Sequence, residues 1–389
     1  MGITPAGPFD IPMELAREWL NDPNPSGKPN SDILRPYFNG KDLAKRPRGA
    51  WTVDFGVDMP LETATSYEKP FRYVANHVKP IRAENRREAY AKNWWIYAES
   101  RPAMREAFSS RSRFLATCMV AKHRNFVWLD TVSLPANVVI AFGRSDDFFL
   151  GLLQSRFHVV WSLKQGTRLE TRPRYTPTTC FETFPFPFVN DLRLRKPSAP
   201  LEPDDESGWE QVLESRFYTI REEPPAYGGG GARTLTPGAH RAAIAAAAKE
   251  LNELRERWLN PPEWTVEKFV EFPGSIAGPW ARYVVEPDKE GIGTVRYPRL
   301  EPRDSDCASK LKKRTLTDLY NERPDWLDFA HKRLDAAVAA AYGWPADLSD
   351  EQVLERLLAL NLQRAAEEAR EPASSKRQGQ RGKVEDELV

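Results

Sequence analysis

Residues 189–240 contain LRKPSAPLEPDDESG and PPAYGGGGARTLTPG, and no packed element can run through such text. Proline removes a backbone donor and fixes φ, consecutive glycines raise the entropy of the chain, and the remainder is polar. The stretch reads as a linker or insertion around one short helix. It divides a chain of 389 residues, long enough for more than one domain, into two blocks of different pattern.

From residue 33 to 188 the pattern is mixed. AWTVDFGVD places Trp51, Val53 and Phe55 on one face at period two, and FLATCMV, NFVWLD and NVVIAFG are short apolar sheet candidates. SYEKPFRYVANHVKPIRAENRREAYAKNWWIYA (66–98) reads as helical. SDDFFLGLLQSRFHVVWSLKQG (145–166) reads as one helix, capped by Ser145 and closed by Gly166, with Asp146 and Asp147 at its N-terminus. TCFETFPFPF reads as a packing strap of Phe181, Phe184, Phe186 and Phe188. Ahead of this block, residues 1–32 hold turns and one helix candidate, Met13 to Leu20, and are expected to be a connecting segment.

Beyond the linker, 241–370 reads as mostly helical. AHRAAIAAAAKELNELRERWL is rich in the best helix former. Leu327, Leu334, Val338 and Ala341 make an apolar stripe, with Pro324 at its start and Gly343 at its end. Ser349 and Gln352 have capping-box spacing. The charged tail 371–389 is expected to be disordered. The fold class is therefore α+β, a mixed α/β domain followed by a mostly helical one.

Charge is segregated although the net value is only +1. Residues 33–188 carry 24 Lys/Arg against 14 Asp/Glu, and the remainder 32 against 41. A basic block rich in arginine and aromatics fits a polyanion, nucleic acid first; an ordinary solvated basic face fits it equally well. RPYFNGKDLAKRPRG offers Arg35, Lys41, Lys45, Arg46 and Arg48 around turns, placed to meet phosphates. KPIRAENRREAYAK offers Lys79, Arg82, Arg86 and Arg87; Arg82 and Arg86 share a helical face, although Glu84 and Glu88 could pair with them on an exposed helix. AKHRNF sets Lys122, His123 and Arg124 between two strands, where His123 could donate to a base or cap the turn. GTRLETRPRYTP supplies Arg168, Arg172, Arg174 and Tyr175, and an arginine there can read guanine with two hydrogen bonds. Trp94, Trp95, Trp128 and Trp161 could stack on bases, but core positions fit all except one of Trp94 and Trp95.

Other chemistries find little support. No apolar run reaches the roughly 18–20 residues that span a bilayer, and MGITPAGPFDIP lacks the basic flank and apolar stretch of a signal peptide. Cys118, Cys180 and Cys307 lie too far apart for a disulfide framework or a zinc site, so a reducing cytoplasm is expected. LNPPEWT (259–265) approaches the Asn-Pro-Pro-aromatic loop of enzymes that methylate an amino group of a flipped base. In that loop the Asn side chain and a prolyl carbonyl accept from the amino group, and the ring stacks on the base. Glu263 stands in the aromatic's place, cannot stack, and would bring a desolvated charge to the base. A charged helix precedes it, and Pro261 and Pro262 fit a helix stop. A Rossmann-type glycine turn for adenosylmethionine is also missing: YGGGGAR lies in the linker, GIGTVRYP runs into a strand, and AFGRSDD has one glycine. No catalytic, cofactor-binding or metal-binding residue is assigned.

Several stretches occur together and in order: AGPFDIP and AREWL, NSDILRPYFNGKDLAKRPRGAWTVDF, KPIRAENRR, WW, AKHRNFVWLD, GLLQSRFHVVWSLKQGTRLETRPRYTPTTCFETFPFP, and LTDLYNERPDWLDFAHKRLDAAVAAAYGWPADLSDEQVLERLLALNLQRA. This series resembles the carboxy-terminal half of the MmeI-like adenine-specific DNA methyltransferases of bacterial restriction–modification and phage defence. It covers nearly the whole chain apart from 189–240 and the tail. The resemblance implies a DNA target recognition domain at 33–188 and a helical C-terminal domain at 241–370, with the catalytic loop lying ahead of this sequence. The implied function is the sequence-specificity portion of an N6-adenine methyltransferase without its catalytic half. The implied partners are double-stranded DNA and a catalytic subunit or N-terminal half, which would hold the S-adenosylmethionine; no membrane is implied. DNA contacts are expected at Arg35, Lys41, Arg46, Arg48, Arg86, Arg87, Lys122, His123, Arg124, Arg168, Arg172 and Arg174. A degenerate, self-sufficient methyltransferase and an inert remnant or assembly subunit stand as the alternatives.

Overall fold

The computed structural model describes residues 1–169, 172–188 and 236–370. The expected disordered tail and almost all of the expected linker lie outside the described residues.

Residues 1–32 are woven into the fold instead of merely connecting. Ile3 bridges Ala136, Thr4 bridges Glu99, and Asp10–Ile11 pairs antiparallel with Trp51–Val53. The close pass requires glycine at position 2, where a Cβ would sit 2.0 Å from the Pro135 carbonyl oxygen. Helix Met13–Asn21 turns Ala16, Trp19 and Leu20 inward. Strand Leu34–Phe38 joins Trp51–Val53 on one side and, in parallel, Leu134–Pro135 on the other. In a second sheet Arg113–Cys118 runs antiparallel to both Phe126–Asp130 and Val139–Phe142. Those three strands are the β-branched and aromatic runs of the sequence.

Two segments read as helical consist of several helices. Residues 66–98 form the helices Glu68–His77, Lys79–Ala83 and Glu88–Lys92. Pro80 occupies the first turn of the second, where its missing N–H would be unpaired in any case. The 145–166 segment divides into Asp147–Gln154 and Arg156–Gln165. The caps are Asp146, which accepts from the Phe149 N–H, and Ser155, which accepts from the His158 N–H, so Ser145 is not the cap. Ser155 is extended at ψ 153°, and its side chain offers the backbone an alternative to continuing the helix.

The C-terminal block is not uniformly helical. Thr265–Ser275 pairs with Ile292–Pro302 along its full length, and Val284–Val285 adds a third strand. Phe272 and Val295 of this sheet, and Trp280 from the connection before its third strand, enter the same core as Ile3, Trp51 and Val53. Trp280 stacks on Trp51 with centroids 5.6 Å apart and donates its indole N–H to the Leu34 carbonyl at 3.0 Å. Charged residues along both strands, and Pro273 inside one of them, obscure the period of two.

A second core also spans both blocks, whereas a smaller third one, around Leu43, Phe108 and Phe114, lies within the first. Helix Pro237–Leu259, capped by Thr236, crosses Asp147–Gln154 at Gly151, where a Cβ would come within 2.6 Å of Ile244. Helices Asp325–Tyr342 and Asp350–Arg370 complete it, under the strap of Phe181, Phe184, Phe186 and Phe188. Arg255 is buried here and donates to the Phe126 carbonyl at 2.7 Å and to Gln154 Oε1 at 3.1 Å. Gly343 ends its helix at φ 68°, and Ser349 and Gln352 exchange both bonds of a capping box.

His158, His331 and Asp335 make stability depend on pH in the mildly acidic range. Burial, with Arg124 nearby, lowers the pKa of His158 to about 3. Burial, then Arg255 and Arg323, lowers His331 to about 3. The unfolded histidines take up protons near their ordinary 6.5, so acid favours unfolding until pH falls to about 3. Asp335, raised by burial to about 6 from 3.8, acts in the opposite sense between those values. Between pH 6 and 4 the two histidines outweigh the one carboxyl, so these groups together lower stability as the pH falls. Urea unfolding at pH 7, 6 and 5 measures this; a flat profile, or stability rising toward acid, would contradict it.

Candidate nucleic-acid interface

The basic hairpin is built from the end of helix Arg156–Gln165 outward. Gly166 terminates that helix, and a Cβ there would lie 2.5 Å from the Arg174 carbonyl oxygen and 2.6 Å from that of Ser162. The chain can therefore leave the helix directly into strand Thr167–Leu169, which pairs antiparallel with Arg172–Arg174. Arg168, Arg172 and Arg174 are all exposed. Arg168 lies opposite Pro173, whereas Arg172 and Arg174 flank that position, so the ribbon carries cations on both faces.

The ribbon rests on the 119–125 loop. Val120 bridges Arg174, the Tyr175 N–H donates to Met119 O at 2.7 Å, and the Ala121 N–H donates to Pro173 O at 3.4 Å. Beneath lies Arg124, which is buried. It donates to Thr117 Oγ1 at 3.0 Å, to the Cys118 carbonyl, and to the Pro173 carbonyl at 3.3 Å, with the Tyr175 ring 5.0 Å away. Burial lowers its pKa from the usual value. Tyr175 in turn shares a 2.9 Å hydrogen bond with His158 Nε2. Lys122 and His123 remain at the surface, both bound to Asn321 Oδ1, at 2.5 and 2.9 Å.

The twelve expected contact residues separate into surface and interior groups. Arg35 is inside, donating to the Val132 and Thr131 carbonyls at 2.8 and 2.7 Å and pairing with buried Asp54 at 3.4 Å. Arg46 fastens the two blocks together, donating to Leu311 O at 3.0 Å, Asn260 Oδ1 at 2.8 Å and Leu259 O at 2.8 Å. Arg35, Arg46 and Arg124 are thus corrected from phosphate or base contacts to internal ties, because carbonyls and carboxylates already engage their guanidinium donors. Arg48 is half-exposed and forms two bonds to Asp42, both 3.1 Å. Lys41 is exposed on the short helix Gly40–Ala44, which Asn39 and Asp42 cap reciprocally. Arg86 and Arg87 are exposed, and Arg87 donates to the Tyr90 hydroxyl at 2.7 Å. No shared face links Arg82 and Arg86: Arg82 is buried, donating to the carbonyls of Pro5, Ala6 and Ile96, and its helix stops at Ala83. Hairpin and loop are therefore brought together, and Lys41 lies near them through the 3.0 Å contact of Cys118 Sγ with the Gly40 carbonyl.

Sequence reasoning missed Asn321, which nothing in its surroundings marks, and the run Lys310, Lys312, Lys313 and Arg314, which its density of charge could have revealed. The tryptophans are occupied within the protein. Trp94 and Trp161 are core, Trp95 donates to Met59 O at 2.8 Å, and Arg113 lies over Trp128.

The NPPEW turn is a helix end. Asn260 is the C-cap of Pro237–Leu259; its Oδ1 accepts from Arg46 and its Nδ2 donates to Glu256 Oε2 at 3.3 Å. The Pro261 carbonyl accepts from Thr265 Oγ1 at 2.9 Å and the Pro262 carbonyl from Arg303 at 3.0 Å. Among the described residues no group of three His, Cys, Asp or Glu could hold a metal ion, and no helix is long and apolar enough to cross a membrane.

Residues 28–188 match the family model described as MmeI, target recognition domain. Among solved structures, the Type IIL restriction-modification enzyme MmeI in complex with DNA superposes with a TM-score of 0.55 at 15% sequence identity, over 94% of this chain and 35% of that one. At that identity the likeness is one of fold, and the chain spans about a third of the length of the protein it matches. No curated protein matches the chain.

Proposed function

We propose that this chain, whose residues 28–188 match the MmeI target recognition domain, is the part of a restriction–modification methyltransferase that binds duplex DNA and reads its sequence. The observation that carries this is the arginine ribbon. Arg168, Arg172 and Arg174 stand exposed on a two-stranded hairpin seated on the Lys122–His123 loop, inside the matched residues. A two-stranded ribbon fits the major groove, and arginine gives the commonest base-specific contact there, two hydrogen bonds to guanine. Lys41 and Lys122 suit phosphates, which set register without carrying sequence.

The methyl transfer itself, to the N6 amino group of adenine, is assigned to a catalytic part outside this chain, which would hold S-adenosylmethionine. The engagement of Asn260 by Arg46 and Glu256, and of both prolyl carbonyls by neighbours, supports that division, since an Asn-Pro-Pro loop must keep these acceptors free for the target base. Two titrations of the purified chain test the proposal. Duplex binding should weaken steeply with salt, by about 0.9 log units per tenfold salt for each phosphate neutralised, and calorimetry with S-adenosylmethionine should show no heat of binding. Micromolar binding of the methyl donor by this chain would overturn the division of labour.

A further inference from the structure

The run Leu311 to Arg314 lies outside residues 28–188, yet it is fastened to them. Arg46 donates to the Leu311 carbonyl at 3.0 Å, and Thr317 Oγ1 donates to the Ala44 carbonyl at 2.9 Å. Lys45 sits between those two anchors, and Lys312 and Lys313 follow directly on Leu311. All three lysines are exposed, and none forms an ion pair among the described residues. Their neighbours in the run differ. Lys310 pairs with Asp306 at 2.7 Å, and the Arg314 guanidinium lies over Trp258 and Trp264, at 4.4 and 5.0 Å from the ring centroids. The next helix, Leu316–Glu322, brings Asn321 to Lys122 and His123, beside the arginine ribbon. The C-terminal block therefore carries two exposed lysines on backbone tied to the turn that holds Lys45, and touches the loop that carries the ribbon.

We propose that Lys312 and Lys313 extend the DNA-binding face from the recognition block onto the C-terminal block, as phosphate contacts. This rests on the reading of the chain as a duplex-binding module. A lysine ammonium is a compact point charge without the planar fork that reads a base edge, so the extension adds affinity and register but no sequence preference. Arg46 acts as a positioning residue, because it holds the backbone that carries both lysines against the turn that carries Lys45. Neither block alone then presents the whole face.

The test compares the full chain with K312A/K313A and with R168A/R172A/R174A, titrating a fluorescein-labelled duplex of mixed sequence over a salt series. For K312A/K313A the slope of log affinity against log salt should become shallower by about 1.8, roughly 0.9 for each lost phosphate contact. Affinity should fall by the same factor on every duplex tried, and the melting temperature should not change. If K312A/K313A keeps the parental slope while the hairpin variant loses affinity, the extension is wrong and the ribbon's role stands. If the parental chain binds no duplex at low salt, both proposals fail.

Discussion

Replacing Arg168, Arg172 and Arg174 together with alanine should lower affinity for a preferred duplex by on the order of a hundredfold or more, taking about 1–3 kcal/mol of discrimination for each arginine that reads a base. All three side chains are exposed, so the fold should be untouched. The loss should also depend on sequence. A preferred duplex should suffer more than a scrambled one, because base contacts contribute only where the right base is present. Electrophoretic mobility shifts with both duplexes, alongside thermal unfolding, supply the comparison. Affinity within about twofold of the parent on the preferred duplex would remove the ribbon from the interface.

Asp54→Ala should destabilise the protein by about 3–5 kcal/mol, the usual cost of removing one partner from a buried ionic group. Asp54 is buried and accepts two 2.8 Å bonds from Arg105, one at 3.4 Å from Arg35 and one at 3.1 Å from the Gly56 N–H. Burial alone would raise its pKa, yet the guanidinium of Arg105, with help from Arg35, holds it below the ordinary carboxylate value. The ionised form is therefore the folded form, and its contribution is lost as pH falls through the lowered pKa. In the alanine variant two guanidinium groups remain in the protein with their shared counter-ion gone. Urea denaturation at pH 7 should show the midpoint shift, and Asp54→Asn, which keeps the shape, should also be strongly destabilised. A loss below about 1 kcal/mol would mean that water and carbonyls compensate the arginines.

The sequence discloses elements whose chemistry is local. The alanine-rich helix to Leu259, the Gly343 terminus, the Ser349–Gln352 box and the three apolar strands of the 113–142 sheet follow from propensity, caps and period alone. It discloses poorly what depends on partners distant along the chain. Arg35, Arg46 and Arg124 look like surface cations because most of their partners are backbone carbonyls, which leave no mark in a sequence, and the rest are uncharged side chains or, for Arg35, an aspartate nineteen residues away. The break at Ser155 was hidden because the apolar period runs on across it. GIGTVRYP was legible as the start of a strand, but its long partner Thr265–Ser275 was hidden by interleaved charges, and the role of the pair in the first core depends on Trp280 meeting Trp51. Two cores that each combine residues from before and after the 189–240 stretch were likewise invisible, since a linker in sequence need not be a boundary in space. Of the candidate interface, the 166–177 cluster was legible as a density of arginine between turn residues; its form as a ribbon resting on buried Arg124 was not.

Selection from a pool of random duplexes tests most directly whether this chain reads DNA. Purified protein, with no other subunit present, is bound to the pool at moderate salt, and the retained duplexes are sequenced over successive rounds. A single short motif containing guanine should recur, and R168A/R172A/R174A should fail to enrich it. A retained pool with the composition of the starting one would contradict the assignment of sequence recognition to this chain.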